Sequence, residues 1–463
     1  MKVHFIGIGG TGLSAIARLL LEKGYRVSGS DRVLSPLAQS LQRAGVAIFE
    51  GHRAENIQSP DIVVRSSAVK DDNPEVIAAR NAGIPVLKRS EFLGQLIQND
   101  ICIAVAGTHG KTTTTAMIAW MLTAMGKQPS YIIGGISKNL GTNAHFGKDG
   151  GYFVIEADEY DRMFLGLQPA IMVVTNIRHD HPDCFPTPQV YLDTFKEFSS
   201  RLIPNGTLIT CGDDSGSDNL AEYVAGQEKE VKVIRYGIDQ TAKNQPNDYF
   251  TSDMQVNNSG GFDYHVYTRG QDAIIAKVRM KIPGIHNVLN SLAALIVADQ
   301  LRLPLADAAQ ALSQFTGTDR RFDLRGEPCG IAVIDDYAHH PDEIKATLQS
   351  ARLRYPNRRI WVVWQPHTFS RIQALYGEFL NAFSDADRVI VTEVYAAREN
   401  TVAFSTADLA NDIQHPNVIY IPALSTVTSY LLEKLQAGDV VLVLSAGDAD
   451  VISANLIQEL SVI

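Results

Sequence analysis

The chain is 463 residues long, 45% hydrophobic and 20% charged, enough apolar material for two or three separately cored domains. Its 41 basic and 51 acidic residues leave a formal charge of −10, which argues against a nucleic-acid or anionic-membrane binder but leaves room for a local phosphate pocket. No uncharged run approaches the ~18 apolar residues of a membrane span, and Cys102, Cys184, Cys211 and Cys329 lie far apart without a C-x-x-C, as expected of free thiols in a reducing cytoplasm.

The first predicted unit runs strand, glycine turn, helix. Val3-His4-Phe5-Ile6 leads into Gly7-Ile8-Gly9-Gly10-Thr11-Gly12, a G-x-G-x-x-G spacing, and a helical pattern continues through Leu20 and Leu21. Such a turn presents backbone N–H groups and a helix N-terminus to a diphosphate. The next strand, Tyr25 to Gly29, ends at Ser30-Asp31, where a dinucleotide fold carries its ribose-binding acid. Gly9, Gly10, Thr11, Gly12 and Asp31 are therefore candidate contacts to a nucleotide diphosphate; a βα turn without ligand is the alternative. Further strands are expected at 62–65 and near Val86-Leu87. Ser66 and Ser67, at a strand end, are either ligand contacts or a helix cap. A first boundary is predicted near 93–100, closing a Rossmann-like domain over 1–97.

The second unit repeats the pattern with different chemistry. The apolar run 101–106 precedes Gly107-Thr108-His109-Gly110-Lys111-Thr112-Thr113, and an apolar helix follows. Val105 stands where the strict G-x-x-x-x-G-K-[ST] pattern has its first glycine, so the stretch is a shortened P-loop. Lys111 is expected to reach the β- and γ-phosphates of a nucleotide, and Thr112 to hold Mg²⁺. Two later strands end in candidate metal ligands. Glu156 opens Glu-Ala-Asp-Glu-Tyr-Asp and suits Mg²⁺, because hard cations take oxygen. His181, beside Asp180, could complete the site or orient an acyl acceptor; His179-x-His181 has no third soft ligand nearby for zinc. Residues 214–275 read as a polar, β-rich insertion of low functional content. Asn287, just before a helix predicted from Val288 to Leu301, either reads a purine edge or caps that helix. A second boundary is predicted at 318–322, so the central P-loop α/β domain covers 98–319.

The last unit, 320–463, is again α/β and Rossmann-like, with buried strands expected at 331–335, 360–364, 389–392 and 440–444. Arg320-Arg321 opens it, and either arginine could clamp a γ-phosphate on domain closure. Asp335-Asp336-Tyr337-Ala338-His339-His340-Pro341 and Gln365-Pro366-His367-Thr368-Phe369-Ser370-Arg371 end two strands of one sheet and should share a rim. Arg371 suits a carboxylate gripped as a two-point fork. Two phosphate-type loops, each opening its own α/β unit, imply two separate nucleotide-like ligands.

As an ordered set these motifs resemble the Mur ligase family, three-domain ATP-dependent enzymes of peptidoglycan precursor synthesis, over essentially the whole chain. The likeness is greatest to the branch that joins L-alanine to the lactyl carboxylate of UDP-N-acetylmuramate. It implies that the front loop, with Ser66 and Ser67, binds UDP and not NAD, and that ATP sits between the central and last domains. By resemblance Lys111, Glu156, His181 and Arg321 are catalytic, with Thr112, Glu156 and His181 holding Mg²⁺. Gly107, Thr108, His109, Gly110, Thr113, Asn287 and Asp336 surround ATP, and Tyr337, His339, His367 and Arg371 line the amino-acid pocket. A cytoplasmic monomer or weak homodimer is expected, with small-molecule partners, no nucleic acid and no membrane insertion.

Several residues depart from that pattern. Arg178 stands where the branch is often acidic, and Thr368 where many members carry a second arginine. Tyr160 is more like relatives that attach a whole tripeptide, the alternative activity. Lys196 lies about where sister ligases carry a carbamylated lysine. Two readings from other classes compete. An NAD(P) oxidoreductase leaves Lys111 and the third unit unexplained, and a P-loop switch has no use for His367 and Arg371.

Overall fold

A computed structural model describes residues 1–239, 246–397, 399–400 and 403–461. Three sheets succeed one another along the chain. The first has five parallel strands in the order Ala47–Glu50, Arg26–Asp31, Lys2–Ile6, Ile62–Arg65 and Val86–Lys88. A parallel sheet needs both faces covered. Val3, Phe5 and Val64 pack under Leu13, Ile16 and Leu20 of the Thr11–Glu22 helix, while Ile6 and Val63 meet Val76 and Ala79 of the Pro74–Asn81 helix.

The second sheet has ten strands. Its parallel centre sets Thr207–Cys211, Ile171–Val174, Ile101–Ala106, Tyr152–Glu156 and Ser130–Ser137 side by side. Residues 214–275 are not an insertion. They begin with the Ser215–Ala225 helix, capped by Asp214, and continue as strands Lys232–Gly237, Tyr249–Val256 and Phe262–Thr268. With Ala276–Arg279 these strands extend the same sheet. The stretch reads as polar because its antiparallel outer strands bury one face only: Phe262, Tyr264 and Val266 share a core with Val288 and Leu292 of the Ile285–Gln300 helix. The third sheet runs Asp323–Gly326, Ala332–Asp336, Val440–Leu444, Ile360–Trp364, Arg388–Val391 and Val418–Tyr420, parallel except for the first pair. No helix among the described residues is long and apolar enough to cross a membrane.

What this arrangement positions is a set of strand ends. Gly7, Gly107, Asn176, Tyr337 and Gln365 all follow the carboxyl ends of parallel strands, where α/β sheets hold ligands. The first sheet docks on the second through the Arg89–Leu96 helix, which packs on the 3₁₀ helix Tyr160–Gly166. From that 3₁₀ helix Phe164 stacks on Phe198, ring centroids 4.2 Å apart, and anchors the seam to the core. Gly94 permits the approach, since a Cβ there would lie 2.5 Å from the Gly166 carbonyl oxygen. Gly94→Leu should therefore wedge the seam and cost about 1–3 kcal/mol, as overpacking usually does. A lower thermal midpoint with faster proteolysis at 97–100 is the expected readout.

Candidate active site

The phosphate-type loop of the central sheet is built by backbone geometry. Gly110 caps the Lys111–Ala124 helix in the left-handed region, φ 82°, and a Cβ on it would lie 2.7 Å from Asn290 Oδ1. Asn176, at the adjacent strand end, ties the loop down. Its Oδ1 accepts the His109 N–H (2.9 Å), its Nδ2 donates to the His109 carbonyl (3.0 Å), and its own carbonyl accepts the Thr108 N–H (3.0 Å). Lys111, expected to reach the β- and γ-phosphates, folds over its own loop here. Its Nζ donates to the carbonyls of Gly107 (2.6 Å) and Thr108 (3.1 Å) and to Glu159 (3.0 Å). Burial would lower the Lys111 pKa, but Glu159, Asp158 and Glu156 outweigh it and keep the cation.

Glu159 is itself fully buried and accepts the Tyr191 hydroxyl at 3.0 Å; Tyr191 also pairs with Thr108 Oγ1 at 3.1 Å. Sequence alone points to Glu156 in the acidic run and gives no signal for Glu159, three residues beyond the strand end. Tyr191, in the Pro188–Ser199 helix, carried no local signal. Glu156 accepts the Thr112 hydroxyl (3.0 Å) and the Gly134 N–H (2.6 Å), and burial raises its carboxyl pKa despite Lys111. A desolvated carboxylate beside a hydroxyl suits a hard cation. His181, at φ 54°, sets its Nε2 3.9 Å from Glu159 and 3.7 Å from Asp180.

The third sheet faces this loop with charged groups. Arg371 Nε donates to Asp180 at 2.9 Å across the seam, and its Nη1 pairs with His367 Nδ1 at 2.9 Å. One edge of the expected carboxylate fork is thus already taken by Asp180. Burial pushes the Asp180 carboxyl up, but Arg371 and His181 overcome it and hold it well below the ordinary 3.8. Glu343, at the start of the Pro341–Arg354 helix, lies 3.1 Å from His109 Nδ1 and 3.4 Å from Arg321, and accepts the His339 N–H at 3.0 Å. It is buried, yet His339, His109 and Arg321 keep its pKa well below 4.5. Arg320 and Arg321 lie 5.3 and 5.2 Å from the Tyr337 ring centroid, within cation–π range. Asp336 is spent on the hinge: it accepts the N–H groups of Phe322 and Ala338 and the Thr347 hydroxyl, and burial lifts it to about 6. Burial also drives His339 down to about 3 and His286 to about 4. His109, His340 and Asp342 each place a donor atom within 4.8 Å of the others. His340 Nδ1 accepts the Asp342 N–H, so the neutral ring keeps its proton on Nε2, and His340 with Glu343 caps the helix.

Two cavities meet at these residues. One, of about 400 Å³, is lined by His109, Thr113, Asn176, Asp213, Asp214, His286, Asn287, Asn290 and Asp336. Asn287 spends its amide inside the fold, donating to the Pro283 carbonyl (2.6 Å) and accepting from Asn290 (3.1 Å), and Gly284, not Asn287, caps the helix. Asp213 adjoins, and Asp214 opens, the stretch read as uninformative. The second cavity, about 910 Å³, brings Thr11, Gly12 and Arg89 of the front unit to Lys111, Glu156, His181, Tyr337, His339, His367 and Arg371. The two share Gly110, Thr112, Arg321 and Glu343.

In the front loop the Asp31 Oδ2 accepts the Gly9 N–H at 2.8 Å, and the Gly10 N–H donates to the Gly7 carbonyl at 3.2 Å. Ser66 and Ser67 sit in a turn closed by the Val69 N–H on the Ser66 carbonyl, and the next helix is capped by Asn73, so neither serine is a helix cap. Arg178 pairs with Asp214 at 2.9 Å on the wall of the smaller cavity. Lys196 pairs with Asp193 at 3.0 Å and covers the Tyr223 ring.

Comparison with known proteins adds three family matches in register: "Mur ligase family, catalytic domain" over 2–100, "Mur ligase middle domain" over 105–298 and "Mur ligase, glutamate ligase domain" over 320–447. The chain is 43% identical over 455 residues to UDP-N-acetylmuramate–L-alanine ligase of Pelobacter propionicus, covering 96% of this chain and 95% of that one. It is 39% identical over 462 residues to the enzyme of that name from Syntrophus aciditrophicus, covering 99% and 93%. Among solved structures, UDP-N-acetylmuramate-alanine ligase of Thermotoga maritima superposes with a TM-score of 0.82 at 30% identity over 99% of both chains. A murein peptide ligase of Psychrobacter arcticus gives 0.72 at 26% identity, over 100% and 99%.

The Lys111–Glu159 pair generates one expectation. Glu159→Gln strands a buried cation and should destabilise by about 3–5 kcal/mol, whereas adding Lys111→Met should recover much of that loss. Urea denaturation of the double-mutant cycle measures it. A second expectation concerns Asp335, which burial lifts from 3.8 to about 7 despite the Arg320 guanidinium 3.4 Å away. Its folded pKa lies above the unfolded one, so the stability it contributes is complete below pH 3.8 and fades as pH rises through about 7. Asp335→Asn should flatten that part of the stability profile between about pH 4 and 7.

Proposed function

The chain belongs to the Mur ligase family, and from that premise we propose that it joins L-alanine to the lactyl carboxylate of UDP-N-acetylmuramate at the expense of ATP. The observation that carries this reading is the pair of cavities. The front glycine loop and the last domain's His367 and Arg371 open on one cleft, and a nucleotide-sized cavity joins it at Gly110, Thr112 and Arg321. A triphosphate in the smaller cavity would present its γ-phosphoryl group where the two meet. The carboxylate oxygen attacks that phosphorus, ADP leaves, and an acyl phosphate results. The alanine amine then adds to the acyl carbon, and the tetrahedral intermediate expels inorganic phosphate.

Phosphoryl transfer asks the protein for positioning and charge neutralisation. Lys111 and the loop amides hold the phosphates, and Arg321 meets the γ-phosphate from the last domain. Thr112, Glu156 and His181 would hold Mg²⁺, which when bound offsets phosphate charge. Asn287, Asp336 and the Asp213-Asp214 pair border the nucleoside. Gly9, Gly10, Thr11 and Gly12, with Arg89 beside them, receive the UDP diphosphate; Ser66 and Ser67 adjoin it, and Asp31 acts by shaping the loop. Tyr337, His339, His367 and Arg371 form the amino-acid pocket.

Relatives of about 40% identity that carry the alanine-ligase name support alanine over a whole tripeptide as acceptor. Free cysteines support a cytoplasmic setting, and a single chain that supplies every group supports a monomer or weak homodimer.

Release of ADP should require both UDP-N-acetylmuramate and L-alanine, with L-alanine favoured over glycine by about 1–3 kcal/mol, the worth of one methyl group in an apolar pocket. Lys111→Ala should abolish turnover while UDP-N-acetylmuramate still binds. Equal loss of both would refute two independent sites, and faster turnover with a tripeptide than with L-alanine would move the assignment to the tripeptide branch.

A further inference from the structure

One buried carboxylate takes no part in the chemistry above. Glu75, in the first turn of the Pro74–Asn81 helix, is completely inaccessible. Its oxygens accept the Ser30 hydroxyl (2.7 Å), the Asn56 amide (2.6 Å) and the Arg53 N–H (3.1 Å), and they pair with His4 Nε2 at 3.1 Å. His52 Nδ1 stands 3.6 Å away. An apolar side chain would fill this space without desolvating a charge. What the carboxylate adds is direction, because every donor around it is fixed by pointing at it.

Those donors lie one step from the front glycine loop. The Ser30 hydroxyl goes to Glu75 and also pairs with His52 at 3.0 Å, while the Ser30 carbonyl accepts the N–H groups of Gly7 (2.8 Å) and Ile8 (3.0 Å). The next residue, Asp31, accepts the Gly9 N–H at 2.8 Å, and its carbonyl accepts the Gly51 N–H at 2.7 Å. The Gly51 carbonyl in turn takes the same Asn56 amide that Glu75 holds, at 3.0 Å. Three consecutive loop amides are thus referred to a strand end that Glu75 clamps from both sides.

We propose that Glu75, acting through Ser30 and Asn56, is a positioning residue for sugar-nucleotide binding: it sets the Gly7–Gly12 loop for the diphosphate without approaching the reacting atoms. The proposal rests on the reading that this loop binds UDP. Glu75→Gln keeps the size and exchanges one acceptor for a donor, so either the Asn56 amide and the Arg53 N–H lose their acceptor or the Ser30 hydroxyl must turn round to accept, away from its present direction. In the full-length enzyme, the KM for UDP-N-acetylmuramate should rise about 10-fold, with kcat at saturation and the KM for ATP nearly unchanged, the signature of lost ground-state binding. Calorimetric binding of UDP alone should weaken by the same factor. Ser30→Ala leaves Glu75 its other donors and should reproduce the shift; it carries the test if Glu75→Gln does not fold. Wild-type sugar-nucleotide affinity in both variants would overturn the proposal. So would a parallel fall in kcat and in affinity for both ATP and the sugar nucleotide, which marks general loosening. Absence of UDP binding by the unaltered enzyme would instead refute the reading of the loop.

Discussion

The buried ion pair between Asp180 and Arg371 makes one site out of two domains. Each partner is only 5% exposed, so both have given up water, and separating them inside the fold would leave two unpaired charges. Asp180 also accepts the N–H of His181, and Arg371 also holds His367. The pair therefore registers the His181 loop of the central sheet against the His367 loop of the third. His109 and Glu343 form a second such contact at the P-loop itself. A seam made of charges can part without exposing an apolar face, because each charge is solvated again when the domains open. That property suits an enzyme that must admit two large substrates and then exclude water.

The features legible in the sequence are those set by neighbours along the chain. Gly7 to Gly12 and Gly107 to Thr113 announce themselves because a glycine turn between a strand and a helix is a local demand, and the strand ends carrying Glu156, Tyr337 and Gln365 follow from short apolar runs. The stretch 214–275 was misjudged for a physical reason as well: its outer strands are wetted on one face, and alternation looks like polarity when the sheet behind it is unseen.

The contacts that complete the site depend on strand order, which local pattern does not contain. Thr108 reaches Tyr191 across 83 residues, Asp180 reaches Arg371 across 191, and His109 reaches Glu343 across 234. Glu343 is readable as a helix-capping residue three places after His340, and Asn290 as a partner one turn beyond Asn287. Their part in the cleft emerges only when the second and third sheets face each other. Lys111 and Asp31 show the converse. Sequence assigns each a ligand, and the fold adds that each also braces its own loop.

The imidazoles sunk in this cleft have a bearing on where protons go. A ring held at about 3, as His339 is, stays uncharged at neutrality and is too feeble a base to strip an ammonium group. If the acceptor amine enters beside His339, as proposed, this ring does not take its proton, which would go to bulk water or to the oxygens of the leaving phosphate.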